Sequence, residues 1–133
     1  MFDGVRPEDA ERRAAVFKKY LEIVAALHWA GAPIVAGTDI SVPGHSLHRE
    51  LELYDEAGLT PMAAIQAATS VPARVMGLAK EVGTVDAGKR ADLVVVAGDP
   101  LADIRAIRQV ALVVARGEVL DPAALWRLAE FTP

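Results

Sequence analysis

The run Pro33-Ile34-Val35-Ala36-Gly37 has no polar alternation, and Asp39 stands where it stops. Runs of this kind fit a strand covered on both faces, as in a parallel sheet wrapped by helices. A long helical pattern leads into it. Pro7 suits a first helical position, where a missing N–H costs nothing. Glu8, Asp9 and Glu11 suit the positive end of the helix dipole. Ala14, Phe17, Leu21, Val24 and His28 recur at three- and four-residue steps, with Val16, Tyr20, Ile23 and Leu27 as an adjacent stripe. Glu11, Lys18 and Glu22 occupy the opposite side, and Gly31 is a natural stop. A helix running straight into such a strand is half of a β/α repeat.

Shorter elements follow. A loop over 41–45 contains Pro43 and Gly44, and Ser46 is predicted to cap a helix over 47–57 that Gly58 ends. Thr60-Pro61 has the form of a cap followed by a first-turn proline, opening a helix through Ala68. Ser70 is predicted to cap another that ends at Gly77. Beyond Gly77 the period becomes extended, and Thr84-Val85, Leu93–Val96, Val110–Ala115 and Val119-Leu120 are predicted strands. Asp86-Ala87-Gly88-Lys89 and Arg116-Gly117 mark turns, and Asp121-Pro122 opens a last helix carrying Leu125, Trp126 and Leu128.

Composition narrows the function. In 133 residues, 53% are hydrophobic and the mean hydropathy is +0.27. Small domains carry much surface, so this excess predicts apolar surface that something else covers. Net charge is −4 and the 14 Lys and Arg residues are scattered, without the basic stripe that nucleic acid requires. No cysteine is present, which excludes disulfides and thiolate metal sites and fits a reducing compartment. The longest apolar runs, 93–97 and Val110–Ala115, are too short to span a bilayer. The first residues lack the charged-then-apolar layout of a signal peptide, so a cytoplasmic location is expected, with no membrane partner.

Few residues are candidates for chemistry. Asp39 stands past a buried strand, where reacting groups sit in strand-and-helix barrels; the plainer reading is that it caps the following turn. His45 and His48 form a His-x-x-His spacing beside it, conceivable with Asp39 as a mononuclear zinc site, against the plainer reading of a loop and helix start facing water. His28, on an apolar helix face, reads as a packed histidine. Glu50 shares a face with Leu47, Leu51 and Tyr54, whereas Glu52, Asp55 and Glu56 point elsewhere. A carboxylate on such a stripe requires a partner, with Arg74 or Arg90 as candidates for a structural ion pair. Gly83, Gly88 and Gly98 read as turn glycines, because no strand–glycine–helix order surrounds them.

Taken together, several segments resemble the C-terminal third of the metal-dependent amidohydrolase superfamily, in its imidazolonepropionase-like and prolidase-like branch. They are Ala36-Gly37-Thr38-Asp39, His48-Arg49-Glu50-Leu51, Glu56-Ala57-Gly58-Leu59-Thr60-Pro61, Ala64-Ile65-Gln66-Ala67-Ala68-Thr69, Pro72-Ala73-Arg74 and Gly83-Thr84-Val85-Asp86-Ala87-Gly88-Lys89-Arg90-Ala91-Asp92-Leu93. The resemblance implies an α/β fold: a C-terminal fragment of a (β/α)8 TIM-type barrel over 1–80, strands of the small β-sandwich over 81–120, and a C-terminal helix over 121–133. It implies hydrolysis of a C–N bond in an amide, cyclic amide or dipeptide by a metal-activated water. Asp39 would be metal ligand and proton shuttle, and His48 and Arg49 would border the substrate.

The implied cofactor is a divalent metal, zinc foremost. Family members also carry a His-x-His pair, a carboxylated lysine and two later histidines; this chain has three histidines and no such pair. A full barrel takes about 250 residues. The expected partners are therefore the remainder of the barrel or a homo-oligomer mate, with a small-molecule substrate in the complete enzyme and an inactive chain alone. The alternative is a non-catalytic oligomeric binding or assembly module derived from the barrel.

Overall fold

The computed structural model describes residues 7–39, 42 and 45–128. Pro43 and Gly44 of the expected loop lie outside the described residues. Five helices are described: α1 (Pro7–Trp29), α2 (Ser46–Glu56), α3 (Pro61–Ala67), α4 (Ser70–Val75) and α5 (Pro122–Leu128). Three strands, β1 (Leu93–Val96), β2 (Val110–Ala115) and β3 (Glu118–Leu120), form one antiparallel sheet in that order. A 3-10 helix, Ile104–Arg108, joins β1 to β2 and was not foreseen from the sequence.

The core is small and lies between α2, α3 and the 3-10 helix. Leu51, Tyr54, Leu59, Ala64, Ala67 and Ile104 are buried together, with Val24 of α1 and Ile34, Ala36 and Ile107 packed against them. Helix α1 therefore meets this core near its C-terminal end, through Val24, and leaves most of its apolar surface open, Phe17 included. Tyr20 is 61% exposed and Trp29 70%, and Val16, Ile23 and Leu27 are also exposed. None of the described helices is long and apolar enough to cross a membrane.

Local chemistry accounts for most boundaries. The Thr60 hydroxyl accepts from the Ala63 N–H at 3.2 Å, and Pro61 follows as the first helical residue. The Asp121 carboxylate does the same for α5, accepting from the Ala123 N–H at 3.0 Å. Arg116 and Gly117 both have positive φ, 53° and 83°, the two-residue turn whose twist matches a hairpin. Asp92 braces this turn by accepting from the Arg116 N–H at 2.7 Å. Gly83 is required by its surroundings: with φ +94°, a Cβ there would meet the Ala73 Cβ at 2.5 Å.

Four expectations are corrected. The segment 33–37 forms no regular strand, because no other strand among the described residues lies beside it to complete a ladder. It alternates instead, with Ile34 and Ala36 turned to the core and Val35 42% exposed. Thr84-Val85 is also not a strand, and Val85 is 83% exposed. The Thr84 hydroxyl bonds to Asp86 and Lys89, closing a side-chain-held loop. Ser46 and Ser70 are not caps but the first residues of their helices. The Ser46 hydroxyl accepts from the Val42 N–H at 2.7 Å, and His45 occupies the cap position. Finally, Glu52 does not point away from the core but is buried, held there by Arg108 and Arg49.

Candidate active-site segment around Asp39

Asp39 is exposed, with φ 50°, in the left-handed region that an aspartate visits more readily than most side chains. The segment that delivers it is held at two backbone points. The Ala36 N–H donates to the Ala67 carbonyl at the end of α3 at 2.8 Å. The Gly37 N–H donates to Glu50 Oε1 on α2 at 2.9 Å. A side chain thus replaces the acceptor that a neighbouring strand would supply.

Glu50 has neither of the arginine partners expected for it. The Tyr54 hydroxyl, one helical turn on, donates to the same Oε1 at 2.6 Å, while Oε2 is buried without a hydrogen-bond partner. Burial, and then the bond to Glu50 and its charge, push the Tyr54 phenol well above the usual tyrosine range. The Tyr54 contact was legible as an i,i+4 pair on a helix; the Gly37 contact had no sequence signal.

Of the remaining candidates, Arg49 and His45 are drawn to an ion-pair cluster. Arg49 donates to Glu56 Oε1 at 2.7 Å and to Glu52 Oε2 at 3.2 Å, and these bonds, Glu56 first, raise its pKa. Arg108 of the 3-10 helix pairs with the other oxygen of Glu52. That bond foremost, aided by Arg49, holds the Glu52 carboxyl below its usual range against the opposing effect of burial. His45 Nδ1 lies 3.3 Å from the same Arg108 guanidinium. His48 is half-buried on α2, and His28 is half-buried with its ring edge-on to Trp29, centroids 5.0 Å apart. A substrate contact by Arg49 would compete with two carboxylates already in place.

Among the described residues no three His, Cys, Asp or Glu side chains group so as to hold a metal ion, and Asp39, His45 and His48 form no such set. The described residues alone therefore do not fit a metal. What the arrangement presents is one exposed carboxylate at a bend, two residues beyond a backbone amide held by the half-buried Glu50.

A helix, an anchored extended segment ending in Asp39, three further helices and a small antiparallel sheet define the class. Residues 13–120 match the Amidohydrolase family, and the chain belongs to that family. It is 30% identical over 109 residues to ochratoxinase from Aspergillus niger, covering 80% of this chain and 22% of that protein. Among solved structures it is similar to a putative prolidase from Bifidobacterium longum, with 37% identity and a TM-score of 0.68 over 80% of this chain and 30% of that one. It is also similar to molinate hydrolase, with 31% identity and a TM-score of 0.71 over 84% and 29%. The chain thus spans less than a third of the length of each of these relatives. The family is one of TIM barrels and is generally metal-dependent.

Proposed function

We propose that this chain carries the C-terminal part of a metal-dependent hydrolase of C–N bonds, in an amide, cyclic amide or dipeptide, with Asp39 as metal ligand and proton carrier. The observation that carries the reading is the position of Asp39: inside the family-matched stretch, at the end of a segment anchored to both α2 and α3. In such a hydrolysis the water oxygen adds to the carbonyl carbon, the C–N bond breaks, and a proton passes to the leaving nitrogen. A carboxylate at Asp39 takes the proton from the attacking water, delivers it to nitrogen, and returns to its starting state.

A divalent metal, with zinc the choice for nitrogen and oxygen donors, supplies carbonyl polarisation and an acidified water when bound. Its other ligands come from outside the described residues, which is why this chain alone is inactive on this reading. The partner is the remainder of the barrel, the substrate is a small molecule, and the setting is the cytoplasm. The exposed apolar stripe of α1, Val16, Tyr20, Ile23 and Leu27, supports a covering partner.

In the assembled enzyme, Asp39→Asn lowers kcat by about 100-fold to 10,000-fold, the span of general acid–base catalysis, with an unchanged circular dichroism spectrum. Unchanged kcat overturns the assignment. The same exposed stripe also favours a second reading, an oligomeric module without catalysis. A defined oligomer of the chain by light scattering, with no hydrolysis in any assembly, supports that reading over the first.

A further inference from the structure

The Glu50 carboxylate is unusual among the described acidic groups. One oxygen takes two donors, the other is buried with none, and no cation among the described residues pairs with it. Leaving a carboxylate oxygen buried without a donor is costly, and packing alone would be served as well by an apolar side chain at this position. What the acceptor oxygen achieves is specific. It gathers the Gly37 N–H, two residues before Asp39, and the Tyr54 hydroxyl on a single oxygen.

The segment it holds has few other restraints. No strand among the described residues pairs with 33–38, and the Ala36 bond to Ala67 fixes the chain one residue earlier. Gly37 is exposed, and no atom lies within 4 Å of where its Cβ would be, so packing does not fix it. Asp39 then leaves with φ 50°, a conformation most residues avoid. Between the last core contact at Ala36 and the bend at Asp39, the Glu50 carboxylate holds the Gly37 amide.

We propose that Glu50 is a positioning residue, its Oε1 gripping the Gly37 amide so that the bend at Asp39 presents that carboxylate in one orientation. The inference rests on the reading of Asp39 as the reacting carboxylate. Tyr54, one helical turn on, donates to the same oxygen and so fixes the Glu50 rotamer.

The first test needs no activity. In the isotope-labelled chain, Glu50→Ala accelerates exchange of the Gly37 amide by at least about tenfold and moves the Asp39 Cα shift off its left-handed value, while amides of β2 keep their rates. Glu50→Gln, whose carbonyl oxygen still accepts from Gly37 and Tyr54, stays within about threefold of the parent. Unchanged Gly37 exchange and Asp39 shift in Glu50→Ala overturn the proposal. So does equal acceleration at every amide in both variants, which would make Glu50 a general support of the fold.

A second arm reads function in the assembled enzyme. Glu50→Ala lowers kcat by about 100-fold with KM nearly unchanged, and Glu50→Gln restores most of it. A loss confined to KM overturns the positioning role. If Asp39→Asn retains full kcat, the reading of Asp39 fails instead, and the exchange arm still decides whether Glu50 sets this backbone.

Discussion

Glu52 on α2 and Arg108 at the end of the 3-10 helix stand 56 positions apart and form an ion pair across the core. The Glu52 side chain is 10% exposed and Arg108 33%, so the pair is shielded on the acid's side and wet on the base's. Arg49 supplies a second donor to Glu52, and Ile104 on the same 3-10 helix is buried against α2 and α3. The link between β1 and β2 is thereby tied to α2, the helix that carries Glu50.

Removing one partner should cost more than a surface pair would, because the other is left without its counter-charge. Glu52→Ala is expected to lower stability by about 2 kcal/mol in urea denaturation, and Arg49→Ala by less than about 1 kcal/mol, since Arg49 is 43% exposed. Equal losses would contradict the assignment of Arg108 as the dominant partner.

Acid should expose the same pair. Glu52 has a folded pKa held below its unfolded value, chiefly by the hydrogen bond from Arg108. Its contribution is therefore present above the unfolded carboxylate value, about pH 4.3, and is lost as pH falls through the lower folded value. In thermal melts followed from about pH 6 to about pH 3, the parent loses more stability than Glu52→Gln. Parallel curves would remove Glu52 from the account.

Alkali acts on Tyr54 with the opposite sign. Burial and the Glu50 contact raise its folded pKa above the unfolded value of about 10. Its contribution is complete below about pH 10 and disappears as pH rises towards the folded value. In a Tyr20→Phe background, phenolate absorbance should appear together with loss of the helical circular dichroism signal. Phenolate forming near pH 10 in an intact fold would place Tyr54 in water.

Gly83→Ala places a methyl group against Ala73 in a backbone conformation with φ +94°. The clash and the left-handed cost together predict a loss of roughly 3 kcal/mol by urea denaturation. A loss below about 1 kcal/mol would mean that α4 yields easily.

Arg116→Asn should act the other way. Arg116 occupies the first positive-φ position of the hairpin turn, at 53°, and Asn-Gly is the favoured pair there. The backbone N–H that Asp92 accepts is retained, so a gain of about 0.5 kcal/mol is expected. A destabilised variant would show that the arginine side chain contributes something the turn geometry does not.

The local elements were legible from the sequence because their causes are local. Pro7 and Gly31 bracket α1, Thr60-Pro61 opens α3, Arg116-Gly117 turns β2 into β3, and Asp121-Pro122 starts α5; each rests on one residue's own conformational preference. The Amidohydrolase family was legible for another reason, since its signature is spread along one contiguous stretch. Tertiary structure alone decided the rest. Whether 33–37 is a strand depends on a neighbour elsewhere in the fold, and which face of α2 is buried depends on the 3-10 helix arriving with Ile104 and Arg108. Whether Glu50 meets an arginine or a backbone amide depends on where Gly37 comes to rest. These are contacts between distant positions, and no periodicity along the chain encodes them.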